Sequence, residues 1–215
     1  MYPAGNLFIP VAHGRLEAIL KEPGDPARGV ALVLHPHPLG GGTMHNKVVF
    51  RAAAALNESG LTTLRINFRG VGQSSGTHDE GRGEVEDVRA GLAYLEETYP
   101  QLPITLCGFS FGARVGLEVA TSDERVVNLI SIGTPLGKYD FSFLETCRKP
   151  ILFVHGERDE FGAASEVRQL ARRLDRITDV SVKIIAGADH FFAGHLDELK
   201  QAITEWMTKQ LSPTT

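Results

Sequence analysis

The sequence predicts an α/β protein in which a mostly parallel central sheet is covered by helices on both faces. Strand-like and helix-like segments alternate along all 215 residues, a pattern typical of parallel strands joined by crossover helices. Residues 29–34 are apolar throughout, which indicates a strand buried on both faces. No low-complexity linker or internal repeat interrupts the pattern, so we expect one domain over residues 1–215.

Local patterns define the elements in order. The first two strands should form a hairpin, because Ala-His-Gly at 12–14 offers a tight turn. Helices show apolar side chains three or four residues apart and stop at breakers such as Gly60 and Pro100. The predicted strands are residues 7–11, 15–21, 29–34, 61–68, 103–107, 126–132, 151–155 and 180–185. The predicted helices are residues 46–58, 84–99, 113–121, 163–174 and 195–210.

The last predicted helix has one apolar face. Leu196, Leu199, Ile203, Trp206 and Met207 recur at helical spacing along it. We interpret this face as packing surface, with Trp206 in the core rather than at a ligand site.

Composition excludes several classes of protein. The net charge of −4 is mild and no basic stripe is present, so we expect no nucleic-acid partner. Apolar runs are strand-sized and residues 1–6 lack the pattern of a signal peptide, so no membrane association is expected and the cytoplasm is the expected compartment. We expect the two cysteines to be reduced, with Cys107 buried. The sequence does not decide between a monomer and a homodimer.

The most informative motif lies between a predicted strand and a predicted helix. Residues 108–112 read Gly-Phe-Ser-Phe-Gly, the G-x-S-x-G pattern of a nucleophile elbow. Such a turn strains the serine backbone, and side chains on the flanking glycines would collide with the neighbouring strand and helix. The motif predicts Ser110 as the nucleophile of an acyl transfer.

A second match to the same pattern serves as an internal control. Residues 72–76 read Gly-Gln-Ser-Ser-Gly, but they lie in a polar, glycine-rich stretch with no helix starting at the glycine. We therefore interpret Ser74 as a surface-loop residue.

A serine nucleophile needs a base, and the base needs a carboxylate that fixes its tautomer. In folds of this kind the chain order is Ser, then Asp or Glu, then His. Asp159 follows the strand at 151–155 and His190 follows the last strand, so we predict these two as acid and base. Asp140 ranks second as the acid, and His195 is interpreted as a surface residue.

The oxyanion donors are expected from two backbone positions. Phe111, the residue after the nucleophile, should supply one N–H. The second should come from the loop after the strand at 29–34, where residues 35–43 read His-Pro-His-Pro-Leu-Gly-Gly-Gly-Thr. The two prolines have no N–H, so we favour Leu39 as the second donor, with His37 next.

The same loop does not predict a cofactor. The histidines at 35, 37 and 45 have no clustered acidic or thiolate partner, which argues against zinc. The glycine run lacks the Gly-Lys-Ser/Thr ending of a phosphate-binding loop, and no G-x-G-x-x-G opens a helix. No metal or nucleotide is therefore expected.

Together these residues resemble the α/β-hydrolase superfamily over nearly the whole chain. Residues 35–47 are similar to the H-P-H-P-x-x-G-G-T-M-x-N-K motif of small bacterial hydrolases of about the size of dienelactone hydrolases. Residues 68–74 resemble the F-R-G-x-G-x-S loop, in which the serine is not catalytic. Dienelactone hydrolase proper has cysteine at the elbow, so Ser110 argues against its substrate. Only a short connection, residues 133–150, stands where many members insert a lid, so we expect an open, lidless site.

These observations predict a serine hydrolase that cleaves carboxylic esters with short acyl chains through an acyl-enzyme. The same apparatus could act on thioesters or small peptides, or could transfer the acyl group to an acceptor other than water. A non-catalytic binding module on a hydrolase scaffold is the alternative from another class.

Overall fold

The computed structural model describes residues 5–212, whose core is an eight-stranded sheet. Residues 1–4 and 213–215 lie outside the described residues. The prediction that residues 1–6 lack a signal peptide therefore concerns a segment that lies mostly outside them. The strands are β1 (Asn6–Val11), β2 (Gly14–Lys21), β3 (Gly29–Leu34), β4 (Leu61–Ile66), β5 (Ile104–Phe109), β6 (Val126–Ile132), β7 (Ile151–Gly156) and β8 (Val180–Ile185). The α-helices are α1 (Lys47–Glu58), α2 (Arg82–Thr98), α3 (Phe111–Ser122), α4 (Ala164–Leu174) and α5 (Leu196–Gln210).

The strand order is β1-β2-β4-β3-β5-β6-β7-β8. The hairpin β1–β2 is antiparallel and joins the sheet through antiparallel pairing of β2 with β4. The other neighbours, from β4 through β8, pair in parallel. Because parallel strands end at the same edge, the loops after β3, β5, β7 and β8 gather at one side of the molecule.

Helices cover both faces of the sheet, as the alternating pattern predicted. One apolar cluster joins α2, α3 and α4 to one face, and the other joins α1 and α5 to the opposite face. Trp206 is buried in the second cluster, which confirms that it packs in the core. Both cysteines are free and buried, and burial raises the pKa of the Cys107 thiol.

Several predicted boundaries differ from the structure by one or two residues, and the end of β4 and the start of α2 have a clear physical reason. β4 ends at Ile66 rather than at residue 68, because Asn67 and Phe68 bind neighbouring loops. The Asn67 amide Oδ1 accepts from Met44 N–H at 2.8 Å, and Phe68 N–H donates to His35 Nε2 at 3.0 Å. α2 begins at Arg82, before the predicted residue 84, because the Glu84 carboxylate caps the first turn by accepting from Gly81 N–H at 2.8 Å.

The connection between β6 and β7 is short, as predicted, and holds no lid. Within it, a 3₁₀ turn at Ser142–Thr146 packs Leu144 into the core. Residues 5–212 contain no helix both long and apolar enough to cross a bilayer.

Candidate active site

Ser110 lies on a sharp turn between β5 and α3. Its backbone has φ 55° and ψ −116°, a region that non-glycine residues rarely adopt. Hydrogen bonds on both sides hold it there, since Ser110 N–H donates to Ile132 O at 2.9 Å and Ser110 O accepts from Ala113 N–H at 3.0 Å. The surrounding sheet and helix therefore impose the strain, which amounts to about 1–3 kcal/mol for such residues.

Glycine is required at positions 108 and 112, because backbone atoms of neighbouring segments lie close to both. A Cβ on Gly108 would lie 2.5 Å from the Ala113 backbone, and a Cβ on Gly112 would lie 2.6 Å from His35 O. Neither contact could be relieved by a side-chain movement, because both obstacles are backbone atoms. The predicted steric reason for G-x-S-x-G holds at this turn.

The loops after β5, β7 and β8 bring Ser110, Asp159 and His190 together. His190 Nε2 lies 2.9 Å from Ser110 Oγ, and His190 Nδ1 lies 2.7 Å from Asp159 Oδ2. A carboxylate only accepts, so Nδ1–H donates to Asp159 and Nε2 is free to accept the Ser110 hydroxyl proton. Asp159 is further fixed by Phe161 N–H, which donates to Oδ1 at 2.8 Å.

Aromatic rings shield His190 from solvent. Its ring centroid lies 4.5 Å from that of Phe161 and 5.1 Å from those of Phe109 and Phe191. A Cβ at Gly133 would lie 3.1 Å from His190 Cε1, so this glycine lets the β6 end approach the ring. His190 is 2 % exposed, while the serine hydroxyl beside it faces a cavity.

The competing residues lie elsewhere. Ser74 lies in a loop, as expected, but it is buried rather than at the surface. Its Oγ donates to Asn67 O at 2.7 Å and accepts from Glu17 N–H at 2.9 Å, so the hydroxyl stabilises the loop. Asp140 is exposed and binds Ser142, and His195 Nδ1 lies 2.7 Å from Glu198 Oε1.

The hydrogen bonds of this loop favour the His37 N–H as the second oxyanion donor over that of Leu39, the first choice. Leu39 N–H already donates to His37 Nδ1 at 3.2 Å, and the Leu39 side chain is 78 % exposed. No acceptor among residues 5–212 takes the His37 N–H. Phe111 N–H, at the first position of α3, has no acceptor within the helix. The physical reason for the change is the 3₁₀ turn at Pro38–Gly40, which uses His37 as its cap.

Ring contacts hold these two backbone segments together. The His37 ring lies 5.0 Å from that of Phe111, and the His78 ring lies 4.8 Å from His37. Burial, followed by the charge of His78, lowers the pKa of His37. The lowered pKa favours the neutral ring, which accepts the Leu39 N–H at Nδ1.

His35 is buried beneath this loop and shapes it through both ring nitrogens. Its Nδ1–H donates to Pro36 O at 2.6 Å and its Nε2 accepts from Phe68 N–H at 3.0 Å. Both nitrogens are used by the neutral ring, and neither is left for a metal. Burial lowers the pKa of His35 to about 4.

Folding stability should therefore fall in mild acid. The pKa of His35 drops from an ordinary 6.5 to about 4 in the folded chain, so the unfolded chain binds the proton first. The stabilisation is complete above pH 6.5 and declines as the pH falls towards 4. Urea unfolding should show a loss on the order of 2 kcal/mol between about pH 7.5 and about pH 5 from this group.

A His35→Gln variant isolates this contribution. It should be less stable at neutral pH but should lose less stability on acidification. Some slope should persist, because burial also lowers the pKa of His155. Equal pH slopes in the variant and the wild type would contradict the assignment.

Sequence reasoning missed the role of His155 at the end of β7. The ring is buried, and its Nε2–H donates to Gly162 O at 2.8 Å. Nε2 also lies 3.6 Å from Asp159 Oδ2, whereas Nδ1 has no partner in the described part of the chain. His155 therefore braces the loop that carries Asp159. The only sequence signal was a histidine at the end of a buried strand.

A cavity of about 400 Å³ opens in front of the serine. The loop at 36–42 forms one wall, and Pro135, Lys138, Tyr139, Phe161 and Phe191 contribute to the others. The hydroxyl of Ser110, the ring of His190 and the backbone of Phe111 border the same space. The arrangement could place an ester carbonyl against the serine with its oxygen towards the free N–H groups.

The sheet topology and the turn at Ser110 define an α/β hydrolase. Comparison with known families agrees, since the model of an alpha/beta hydrolase domain matches residues 29–209. The chain belongs to this family.

Bacterial relatives give the same result. An uncharacterized protein of Rickettsia prowazekii is 40% identical over 209 residues, which cover 94% of this chain and 88% of that protein. The structure of an alpha-beta serine hydrolase homologue from Coxiella burnetii has a TM-score of 0.85 and 38% identity, covering 95% of this chain and 98% of that one. A serine hydrolase without a lid from Xanthomonas campestris has a TM-score of 0.87 and 33% identity, covering 100% and 99%.

Proposed function

We propose that this protein hydrolyses carboxylic esters with short acyl chains through a covalent acyl-enzyme. The observation that supports the proposal most directly is the continuous hydrogen-bond chain from Ser110 Oγ through His190 to Asp159, with distances of 2.9 and 2.7 Å. Nucleophile, base and orienting acid are thus within hydrogen-bond reach of one another. The lidless serine hydrolase relative gives the same class of activity a precedent in the family.

In the proposed acylation step, Ser110 Oγ attacks the ester carbonyl while His190 Nε2 takes the hydroxyl proton. The carbonyl oxygen becomes an oxyanion, which the N–H groups of Phe111 and His37 stabilise. Collapse of this intermediate breaks the bond to the alcohol, which leaves with the proton from His190. Water then attacks the acyl-serine by the same route, with His190 first accepting and then returning the proton.

Asp159 has a supporting role in this mechanism. Its carboxylate keeps the His190 proton on Nδ1 and stabilises the imidazolium that forms in each step. The Phe161 N–H and the loop braced by His155 hold that carboxylate in place.

We expect activity to be greatest on short acyl chains. The cavity of about 400 Å³ is open to solvent, and no lid provides an apolar tunnel that could bury a long chain. Each methylene left in water forgoes about 0.8 kcal/mol of burial, so long acyl groups gain little from this site. Rates on p-nitrophenyl esters from acetyl to palmitoyl, compared as kcat/KM below the micelle concentration, should peak at acetyl to hexanoyl.

The same series separates the activity from its chain-length preference. Hydrolysis that rises steadily towards palmitoyl would overturn the open-site interpretation but not the ester hydrolysis. If no ester in the series is hydrolysed above the background rate, the proposed function is wrong.

A further inference from the structure

The cavity in front of Ser110 is bordered by one cation, Lys138. It lies in a turn after β6 in which Lys138 N–H and Tyr139 N–H both donate to Pro135 O, at 3.0 and 3.2 Å. The Lys138 ammonium lies 4.2 Å from the ring centroid of Phe161. That ring contacts His190, so the charge lies one side chain away from the catalytic base proposed above.

The turn that carries Lys138 is tied to the loop of the proposed catalytic acid. Gly137 N–H donates to Phe161 O at 3.0 Å, and Phe161 N–H donates to Asp159 Oδ1 at 2.8 Å. The backbone of Lys138 is therefore held in a fixed relation to the Ser110 side of the cavity. The Lys138 side chain is exposed, but these hydrogen bonds fix the backbone from which it extends.

The charges around the cavity make Lys138 unusual. Among residues 5–212, no aspartate or glutamate borders the cavity and no carboxylate forms an ion pair with Lys138. The cations of the neighbouring cavity are neutralised, since Arg114 pairs with Glu118 and Arg82 with Asp79. The described lining of the cavity in front of Ser110 therefore includes one ammonium group and no carboxylate, since Asp159 does not line it and binds His190 Nδ1.

The opposite wall does not cancel this charge. His37 lines it in the neutral form, because its Nδ1 accepts the Leu39 N–H, and burial also lowers its pKa. The Glu84 carboxylate, which does not line the cavity, raises the pKa of His37, and the charge of Lys138 lowers it as the smallest of the causes. A negative group on either the acyl or the alcohol part of a bound ester would therefore be attracted towards Lys138.

We propose that the site selects esters that carry a carboxylate, which lies against the Lys138 ammonium while the ester carbonyl lies at Ser110. This inference rests on the proposed function and adds the substrate class to it. The rings of Tyr139 and Phe161 border the space between the two groups and would contact the hydrocarbon spacer.

Two matched pairs of esters test the inference. Monomethyl glutarate and methyl pentanoate differ by a carboxylate on the acyl side, and (4-acetoxyphenyl)acetate and 4-ethylphenyl acetate differ by one on the alcohol side. Their kcat/KM values, measured by pH-stat, give a ratio of anionic to neutral ester for each pair. Lys138→Ala should lower this ratio by about three- to tenfold in at least one pair, and Lys138→Glu should lower it further.

Controls distinguish a local contact from a general charge effect. Lys209→Ala removes a lysine from the exposed end of α5 and should leave both ratios at the wild-type value. About 0.5 M salt should reduce the wild-type ratio towards that of Lys138→Ala, because the pair is exposed to screening.

The rates on the four esters distinguish failure of this inference from failure of the proposed function. Ratios that are the same in wild type and Lys138→Ala would overturn the carboxylate preference, while hydrolysis of the neutral esters would still support an esterase. If none of the four esters is hydrolysed, both proposals are wrong.

Discussion

Replacing Ser110 by alanine is expected to abolish ester hydrolysis and covalent labelling by a fluorophosphonate. Without Oγ no acyl-enzyme can form, and removing such a nucleophile lowers kcat by roughly 10⁴- to 10⁶-fold. The backbone strain at φ 55° is the same for alanine and serine, so the fold should be retained. Rates on p-nitrophenyl acetate and fluorescence of the probe-labelled band give the two readouts.

Ser74→Ala is the matched control, since Ser74 lies in the other G-x-S-x-G sequence. This variant should label and turn over at the wild-type rate. It should lose about 1–3 kcal/mol of stability, because Glu17 N–H loses its buried acceptor. Labelling that survives in Ser110→Ala but is lost in Ser74→Ala would reverse the assignment of the nucleophile.

Asp159→Asn is expected to lower kcat by about 10⁴-fold while leaving the fold intact. The amide can still accept the Phe161 N–H through its oxygen, so the loop should keep its shape. Its NH₂ group, however, would donate to His190 Nδ1 and shift the ring proton to Nε2, where it blocks acceptance of the serine proton. Steady-state rates on a short p-nitrophenyl ester measure the loss.

The matching control is Asp140→Asn, which alters the exposed carboxylate that ranked second from sequence. This variant should retain full activity, because Asp140 is exposed and its hydrogen-bond partners, Ser142 and the Phe141 backbone, take no part in the proposed mechanism. A large loss in Asp140→Asn together with a small loss in Asp159→Asn would contradict the proposed role of Asp159.

Much of the fold could be predicted because its signals are local. The fully apolar β3 and the glycines around Ser110 record, within a few residues, what the backbone must do there. The positions of Ser110, Asp159 and His190 could be predicted from the chain order usual in such folds and from the rule that parallel strands end at one edge of the sheet. The error at the end of β4 came from distant partners, such as the His35 ring that binds Phe68 N–H.

The oxyanion loop shows where sequence reasoning stops. The prolines limit the candidate donors to a few N–H groups, but the choice between Leu39 and His37 depends on the path of a 3₁₀ turn. The roles of Phe161, His155 and Lys138 depend on contacts between loops from different strands. No spacing within the chain encodes those contacts.

The short β6–β7 connection has a chemical consequence. On the proposed mechanism, an acyl group bound to Ser110 stays in contact with bulk solvent for its whole lifetime, since no cover closes over the cavity. Any dissolved alcohol or amine small enough to reach the serine can then compete with water for the acyl group. The partition between hydrolysis and synthesis would be set by the concentration of such acceptors in the surrounding medium, rather than by a gated movement of the protein.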